Sequence, residues 1–241
     1  MDQPDSMVPT SSSKRWAASW LPWTNGTGRP WRGWRRLPLM IPFVPIHLIV
    51  AWILFVPAAE YRNGNYWIDQ DAVDHLLFQI PDLTANPFEA IRSIITAPWL
   101  NHDAIQLGYV TALLLLFGAV FELREGTLRM LAFFFGTTFV AAIGGGFLLH
   151  LIYPHIWDTS FFEAAWNRTW SGGSAGCFGV MGAIAARARR PALLLAIFIA
   201  WECFIWWVNL RNYTSVFHFT AMTTGFVTAR WLLPPVPRDA S

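Results

Sequence analysis

The sequence is poor in charged residues and almost free of cysteine. Only 13% of its 241 residues are charged, whereas soluble domains carry about 25%. The two cysteines, Cys177 and Cys203, both lie in apolar runs, which argues against a disulfide framework. The sequence has no His/Cys spacing typical of zinc sites, no glycine-rich phosphate loop and no basic stripe for nucleic acid. We therefore expect no metal, no cofactor and no nucleic-acid partner.

Apolar and aromatic residues are abundant instead. Hydrophobic residues make up 54% of the chain, with 15 tryptophans and 19 phenylalanines, and tryptophan favours membrane–water interfaces. A helix needs about 20 apolar residues to cross a bilayer. Six segments approach that length, and they predict an all-α membrane protein with six transmembrane helices: approximately 38–58, 105–122, 130–153, 172–187, 191–210 and 215–233.

Polar stretches divide the chain around this membrane region. Residues 1–36 are rich in Pro, Ser, Trp and Arg and predict a disordered cytosolic tail, followed by a membrane domain over 37–233 and a short tail over 234–241. A long external loop is expected between helices one and two. Within it, the helical spacing of apolar residues in 71–80 and 88–95 predicts two helices that lie on the membrane surface.

Lysine and arginine predict the orientation in the membrane. Of the 17 basic residues, all but four lie in the N-terminal tail or after segments two, four and six. The four exceptions are Arg62, Arg92, Arg168 and Arg211. Because cytoplasmic loops carry the excess of positive charge, both termini are expected in the cytoplasm and the long first loop outside. The expected location is the plasma membrane.

Ser174 and His218 are predicted to lie at one depth. Segments four and six run inward, and their first cytoplasmic charges, Arg187 and Arg230, follow 13 and 12 residues later. At 1.5 Å per residue these distances are about 20 and 18 Å, so both side chains lie about 10 Å below the outer surface of a hydrocarbon layer about 30 Å thick. A histidine inside a bilayer normally faces a partner or water, and a histidine is the usual base for a serine nucleophile.

Small residues on both segments would let the two helices approach closely. His218 shares a face with Ala221, Gly225 and Ala229, and segment four carries a similar stripe of Ala175, Gly179, Gly182 and Ala186. Ser174 alone would be read as a packing residue, but a histidine at matching depth favours a nucleophile. "GGSAG" also fits the nucleophile elbow of soluble hydrolases, which requires a preceding strand and is rejected here.

Four ordered motifs resemble those of the rhomboid intramembrane serine proteases. "GGSAGCFGVMGA" resembles the signature of their fourth helix, and "HFTAMTTG" that of their sixth. "FGAVFELREG" resembles the end of their second helix, and "FEAIRSIITAPWLNHD" a stretch of their first external loop. The similarity covers residues 38–233. It assigns structural motif positions to Arg92, Gly118, Glu122, Gly126, Gly179, Gly182 and Gly225.

The resemblance implies a six-helix core that cleaves transmembrane segments of other membrane proteins in the lipid bilayer. Ser174 would attack the scissile carbonyl, and His218 would act as general base and then as acid. The backbone at Gly173 and Ser174 would help to hold the oxyanion, supported by Gln106 or His102 from the second-helix region.

Two further residues bear on function, and one of them, Val110, departs from the family pattern. Val110 stands where rhomboids carry an asparagine that donates to the oxyanion, and loss of one such donor costs about 10²–10³ in rate. This favours, as an alternative, a pseudoprotease that binds transmembrane helices without cutting them. Glu202, inside segment five, is either part of a polar gate or a structural carboxylate. Together with His218 it could also form the proton path of a small transporter.

Overall fold

The computed structural model describes residues 41–208 and 213–234. The expected tail over 1–36 lies outside the described residues, as does nearly all of the tail over 234–241. Helices dominate the described chain. They are α1 Phe43–Ala58, α2 Gln70–Val73, α3 Asp82–Ala85, α4 Pro87–Thr96, α5 Ala104–Leu113, α6 Ala119–Glu125, α7 Thr127–Ile152, α8 Ser160–Trp166, α9 Ser174–Arg187, α10 Pro191–Val208 and α11 Thr214–Leu232.

Several of these helices are long and apolar. A π-helical segment, Leu114–Gly118, joins α5 and α6 into one helix of 22 residues, Ala104–Glu125. Among the described residues, this helix and α7 and α10, of 26 and 18 residues, have the length and composition to cross a bilayer. The apolar helix α1 is shorter, with 16 residues. At 1.5 Å per residue, α7 spans about 39 Å, more than the hydrocarbon thickness.

Two small antiparallel sheets lie in the loops. Strand β1, Ala59–Arg62, pairs with β2, Asn65–Ile68, across a turn in which Asn63 and Gly64 have φ angles of 52° and 81°. Strand β3, Phe78–Gln79, pairs with β4, Thr169–Trp170.

The first loop differs in part from the prediction. The second expected surface helix, over 88–95, corresponds to α4. The single helix expected over 71–80 is wrong: the segment holds the end of α2, a 3₁₀ turn Asp74–Leu76 and strand β3. The pairing of β3 with β4 supplies backbone hydrogen bonds that a helix would have made internally, and it links the first loop to the segment just before α9.

Helix α9 is the centre of the bundle. Every residue of this helix except Ala175 is buried, and it packs against α5, α7, α10 and α11. The contact with α11 is between main chains: a Cβ at Gly225 would overlap the carbonyl oxygen of Gly179, and one at Gly182 would overlap that of Met222. Glycine at these positions therefore allows the main chains of α9 and α11 to touch.

Glu122 holds the start of α1 to the end of α6. Its side chain is fully buried, and its two oxygens accept hydrogen bonds of 2.9 and 3.0 Å from the backbone N–H groups of Phe43 and Val44. The hydroxyl of Thr127 donates a third, at 2.7 Å. The first N–H groups of a helix have no intrahelical acceptor, so the carboxylate caps α1 from another helix.

We expect Glu122→Ala to lower the free energy of unfolding by about 3 kcal/mol, since it leaves buried donors without an acceptor. Thermal unfolding of the purified protein in detergent measures the change. Glu163→Ala is the matched control, because Glu163 lies exposed on α8 and its loss should be nearly neutral. Equal stability of the two variants would contradict the capping role.

Candidate active site

Ser174 and His218 lie side by side in the structure. Ser174 is the first residue of α9, and His218 lies in the second turn of α11. The Ser174 Oγ is 2.9 Å from the Nε2 of His218, and both residues are 6% exposed. The main-chain contact between Gly179 and Gly225 holds the two helices together about two turns below. The hydroxyl and the imidazole therefore meet because the helices that carry them can touch.

Phe178 packs against one face of the His218 imidazole. It lies one turn after Ser174 on α9, and its ring stacks on that of His218 with 4.2 Å between centroids and 12° between planes. The ring is fully buried. Stacking of this kind limits rotation of the imidazole while leaving its two nitrogens free to bond in the ring plane.

The second nitrogen of the imidazole contacts Glu202. The Nδ1 of His218 is 2.7 Å from the Oε1 of Glu202 on α10. The Ser215 hydroxyl donates to the same oxygen at 2.6 Å. The sequence singled out Glu202 as a carboxylate inside an apolar segment and paired it with His218 only in the transporter alternative; it did not indicate the contact with Ser215.

A small cavity opens beside the serine. It has a volume of about 50 Å³, enough for a few water molecules. Most of its wall is apolar, and Ser174, His218, Thr138, Ser171 and Thr214 are the residues that bring hydroxyl groups or an imidazole to it. The apolar part of the lining comprises Phe78, Ile94, Ala97, Pro98, Ala142, Trp170, Gly172, Ala175 and Phe217.

The chain turns sharply just before the serine. Gly172 has a φ angle of 93°, which a side chain would strain, and its N–H donates to the carbonyl of Ala97 at 2.9 Å. Gly173 then precedes the first turn of α9. The N–H groups of Ser174 and Ala175 in that turn have no intrahelical acceptor, so they are available to an anion formed next to the serine.

Gln106 braces this turn from α5. Its side-chain amide donates to the carbonyl of Ser171 at 3.1 Å, and its Oε1 accepts from the backbone N–H of His102 at 2.6 Å. The amide lies against Gly172, where a Cβ would collide with it. Val110, one turn further along α5, is fully buried and apolar. Gln106 thus lies against the turn that precedes the serine, with one N–H of its amide bonded to the loop.

His102 holds the loop and does not contact the serine hydroxyl in the described structure. Its Nε2 is 3.0 Å from the carbonyl of Thr169, and its Nδ1 is 3.1 Å from the side-chain nitrogen of Gln70. Burial lowers the pKa of His102, and nearby Arg168 adds to the effect. The neutral ring donates from Nε2 to Thr169 and accepts at Nδ1 from Gln70.

The other motif residues have structural contacts away from the serine and the histidine. Arg92 donates to the carbonyl of His75, and this bond joins α4 to the 3₁₀ turn Asp74–Leu76. It also pairs with Glu89 within α4. Gly118 packs where a side chain would press on Val44, and Gly126 has a φ angle of 92° between α6 and α7. In the described part of the chain, no group of three or more His, Cys, Asp or Glu residues could hold a metal ion.

Comparison with protein families decides the relationship. The family model of the rhomboid domain matches residues 88–234, which is more than half of the chain. The chain belongs to the rhomboid family. No curated protein and no solved structure matches it. Membership and the three long apolar helices make it an integral membrane protein, a rhomboid-type intramembrane protease or pseudoprotease.

Proposed function

We propose that the chain is an intramembrane serine endopeptidase that cleaves transmembrane segments of other membrane proteins. Ser174 is the nucleophile and His218 the general base. One observation carries the proposal: the 2.9 Å contact between the Ser174 Oγ and the His218 Nε2, in a buried site beside a cavity. A serine becomes nucleophilic when such a base accepts its proton.

The chemistry follows from this contact. The Ser174 Oγ forms a bond with the scissile carbonyl carbon while its proton passes to the Nε2 of His218. The carbon–nitrogen bond then breaks, and the leaving amine takes that proton. Water from the cavity attacks the acyl-enzyme by the same two proton transfers, which releases the acid and restores the hydroxyl.

Backbone donors at the start of α9 support the intermediate. The N–H groups of Ser174 and Ala175 are at a helix N-terminus, where negative charge is stabilised. Gln106 adds a third donor if its amide directs an N–H toward the oxyanion. Glycine fits at position 173, because a Cβ there would press on Phe134 and on the carbonyl of Pro98.

The proposed topology has six spans: α1, the continuous helix Ala104–Glu125, α7, α9, α10 and α11. Both termini then lie in the cytoplasm, the loop between the first two spans lies outside, and the membrane domain covers residues 37–233 of a plasma-membrane protein. Helix α9 has 14 residues, about 21 Å, so it ends short of one hydrocarbon boundary. That shortfall gives water a route to Ser174 from the outer side.

The cavity favours an uncharged side chain at the cleaved bond. Its wall is largely apolar, so a charged side chain would lose its water there without gaining a partner. The partners are therefore single transmembrane helices that present an uncharged residue near their outer end, within the lipid bilayer.

A pseudoprotease is the second candidate function. Val110 supplies no hydrogen-bond donor, the Gln106 amide is bound to Ser171, and both ring nitrogens of His102 are bound to the loop. With Gln106 held at Ser171 and His102 held by the loop, the oxyanion would depend mainly on the backbone N–H groups. Such a protein would bind transmembrane helices without cleaving them.

Labelling with a fluorophosphonate separates the two candidates. The probe transfers its phosphonyl group to an activated serine oxygen and releases fluoride. We expect one adduct, located on Ser174 by peptide mass spectrometry, in the detergent-solubilised protein. Ser174→Ala should give none, whereas Ser160→Ala, which changes an exposed serine of α8, should label like the wild type. A folded wild-type protein without an adduct would favour the pseudoprotease.

A further inference from the structure

Glu202 is a carboxylate in a place where charge is expensive. It lies within α10, a helix long and apolar enough to cross a bilayer, and it is 1% exposed. Within the described structure, Phe198 and Glu202 are the buried residues of α10. A carboxylate in such surroundings persists only with donors that compensate for the lost water, so its partners indicate its role.

Both of its donors come from the helix that carries the candidate base. The Ser215 hydroxyl and the His218 Nδ1 lie 2.6 and 2.7 Å from the same oxygen, Oε1. Ser215 and His218 are three residues apart on α11 and therefore share a face. The other oxygen, Oε2, is buried and has no hydrogen-bond partner among the described residues. The hydrogen bonds of this carboxylate in the described structure are therefore those with Ser215 and His218.

An ionised Glu202 would decide which ring nitrogen of His218 carries the proton. An ionised carboxylate only accepts hydrogen bonds, so the Nδ1 of a neutral imidazole must donate to Glu202. Its Nε2 is then the unprotonated nitrogen, and this is the atom that lies 2.9 Å from the Ser174 Oγ. The tautomer that Glu202 selects is thus the one able to take the serine proton.

We propose that Glu202 completes a three-residue system, Ser174–His218–Glu202, as the positioning residue of the base. The inference rests on the proposed endopeptidase function and extends it, because the family resemblance implies only the serine and the histidine. When the Ser174 proton moves to Nε2, the imidazole becomes a cation beside the Glu202 anion. The carboxylate stays ionised throughout, while Nδ1 keeps its proton. The ion pair therefore lowers the energy of the charged transition state in a site of low dielectric.

Glu202→Gln is the variant that tests this role. Glutamine has nearly the same size and can still accept from Ser215, but its amide can donate to Nδ1 and so stabilise the tautomer with a protonated Nε2. In serine proteases with an acidic third residue, the corresponding amide change costs about 10⁴ in kcat. We expect kcat for a single-span substrate in proteoliposomes to fall about 10²- to 10⁴-fold with KM within about twofold of wild type. The rate of fluorophosphonate labelling should fall in parallel.

Two further variants separate positioning from packing. Ser215→Ala removes the other donor to Oε1 and leaves the bond between Glu202 and His218, so we expect less than about a tenfold loss of kcat. Glu202→Asp keeps the anion with a shorter side chain, and its kcat should exceed that of the glutamine variant by about tenfold or more. Thermal unfolding of each variant shows whether the change in activity follows a change in stability.

The outcomes are distinct. If the wild-type protein cleaves the substrate and Glu202→Gln has the same kcat, the role of Glu202 is overturned and the proposed function stands. Equal losses in the Gln and Asp variants, or losses that follow the drop in unfolding temperature, would overturn it too, since a structural carboxylate predicts them. A wild-type protein that neither cleaves nor labels would overturn both proposals at once.

Discussion

Ser174→Ala is expected to reduce cleavage of a single-span substrate in proteoliposomes by about 10⁵-fold or more, to the background of the assay. In a serine protease the hydroxyl forms the covalent intermediate, and removing the nucleophile of a comparable site costs about 10⁶ in kcat. The loss should appear in kcat, because the cavity and the helices that bind the substrate keep their shape. Product formation followed by mass spectrometry gives the rate and the cleaved bond.

His218→Ala should lose activity to a similar extent, and the double variant should be no worse than either single one. Residues that act as one unit are not additive, because the serine without its base and the base without its serine are equally inert. His155→Ala provides the control, since His155 is exposed and does not line the cavity beside the serine. Cleavage by Ser174→Ala at the wild-type rate would refute the endopeptidase.

Gly225→Ala is expected to destabilise the protein by about 3 kcal/mol or more and to abolish cleavage. The new Cβ would overlap the carbonyl oxygen of Gly179, so α9 and α11 must move apart along their whole contact. The distance between the Ser174 Oγ and the His218 Nε2 would then exceed hydrogen-bond range. One methyl group thus removes both stability and catalysis.

The same substitution elsewhere provides a matched control. A Cβ at Gly108, exposed on α5, would meet no atom within 4 Å in the described part of the chain. Gly108→Ala should therefore be neutral or slightly stabilising, since alanine is the better helix former. Unfolding temperature and cleavage rate, measured side by side for the two variants, check the prediction. A stable, active Gly225→Ala protein would show that main-chain contact does not set the geometry of the site.

Helix positions followed from the sequence because apolar runs mark them directly. The six segments predicted from hydropathy coincide with α1, the helix Ala104–Glu125, α7, α9, α10 and α11, to within a few residues at the ends that the structure describes. Ser174 and His218 could be paired for a similar reason. Their distances from the next basic residue are nearly equal, and small residues lie on the same faces.

The loops followed the sequence less well, since short elements depend on distant partners. Strand β3 exists through β4, which lies about 90 residues further along the chain, and the apolar spacing of 71–80 suits a helix equally well. The hairpin of β1 and β2 was missed although a signal was present: Asn63-Gly64 is a typical two-residue turn between strands.

Side-chain partners of the site depend on helix rotation, which spacing does not specify. The pattern of α10 is apolar on every face, so nothing in it predicts that Glu202 turns toward α11 rather than toward lipid. Gln106 and His102 were expected to support the oxyanion, and that role stays a prediction. In the structure, the Nε2 of His102 bonds to the carbonyl of Thr169 in β4. The Gln106 amide donates to the carbonyl of Ser171, just before α9.

Helix α10 has few buried side chains, and this affects how the site responds to its surroundings. Phe198 and Glu202 are the buried side chains of this helix in the described structure, and Glu202 is bonded to the imidazole at 2.7 Å. An outward shift of about 1 Å would break that bond. The location of α10 therefore sets how well His218 can accept the proton of the serine. A force that pulls this helix toward the lipid also changes the reactivity of the hydroxyl.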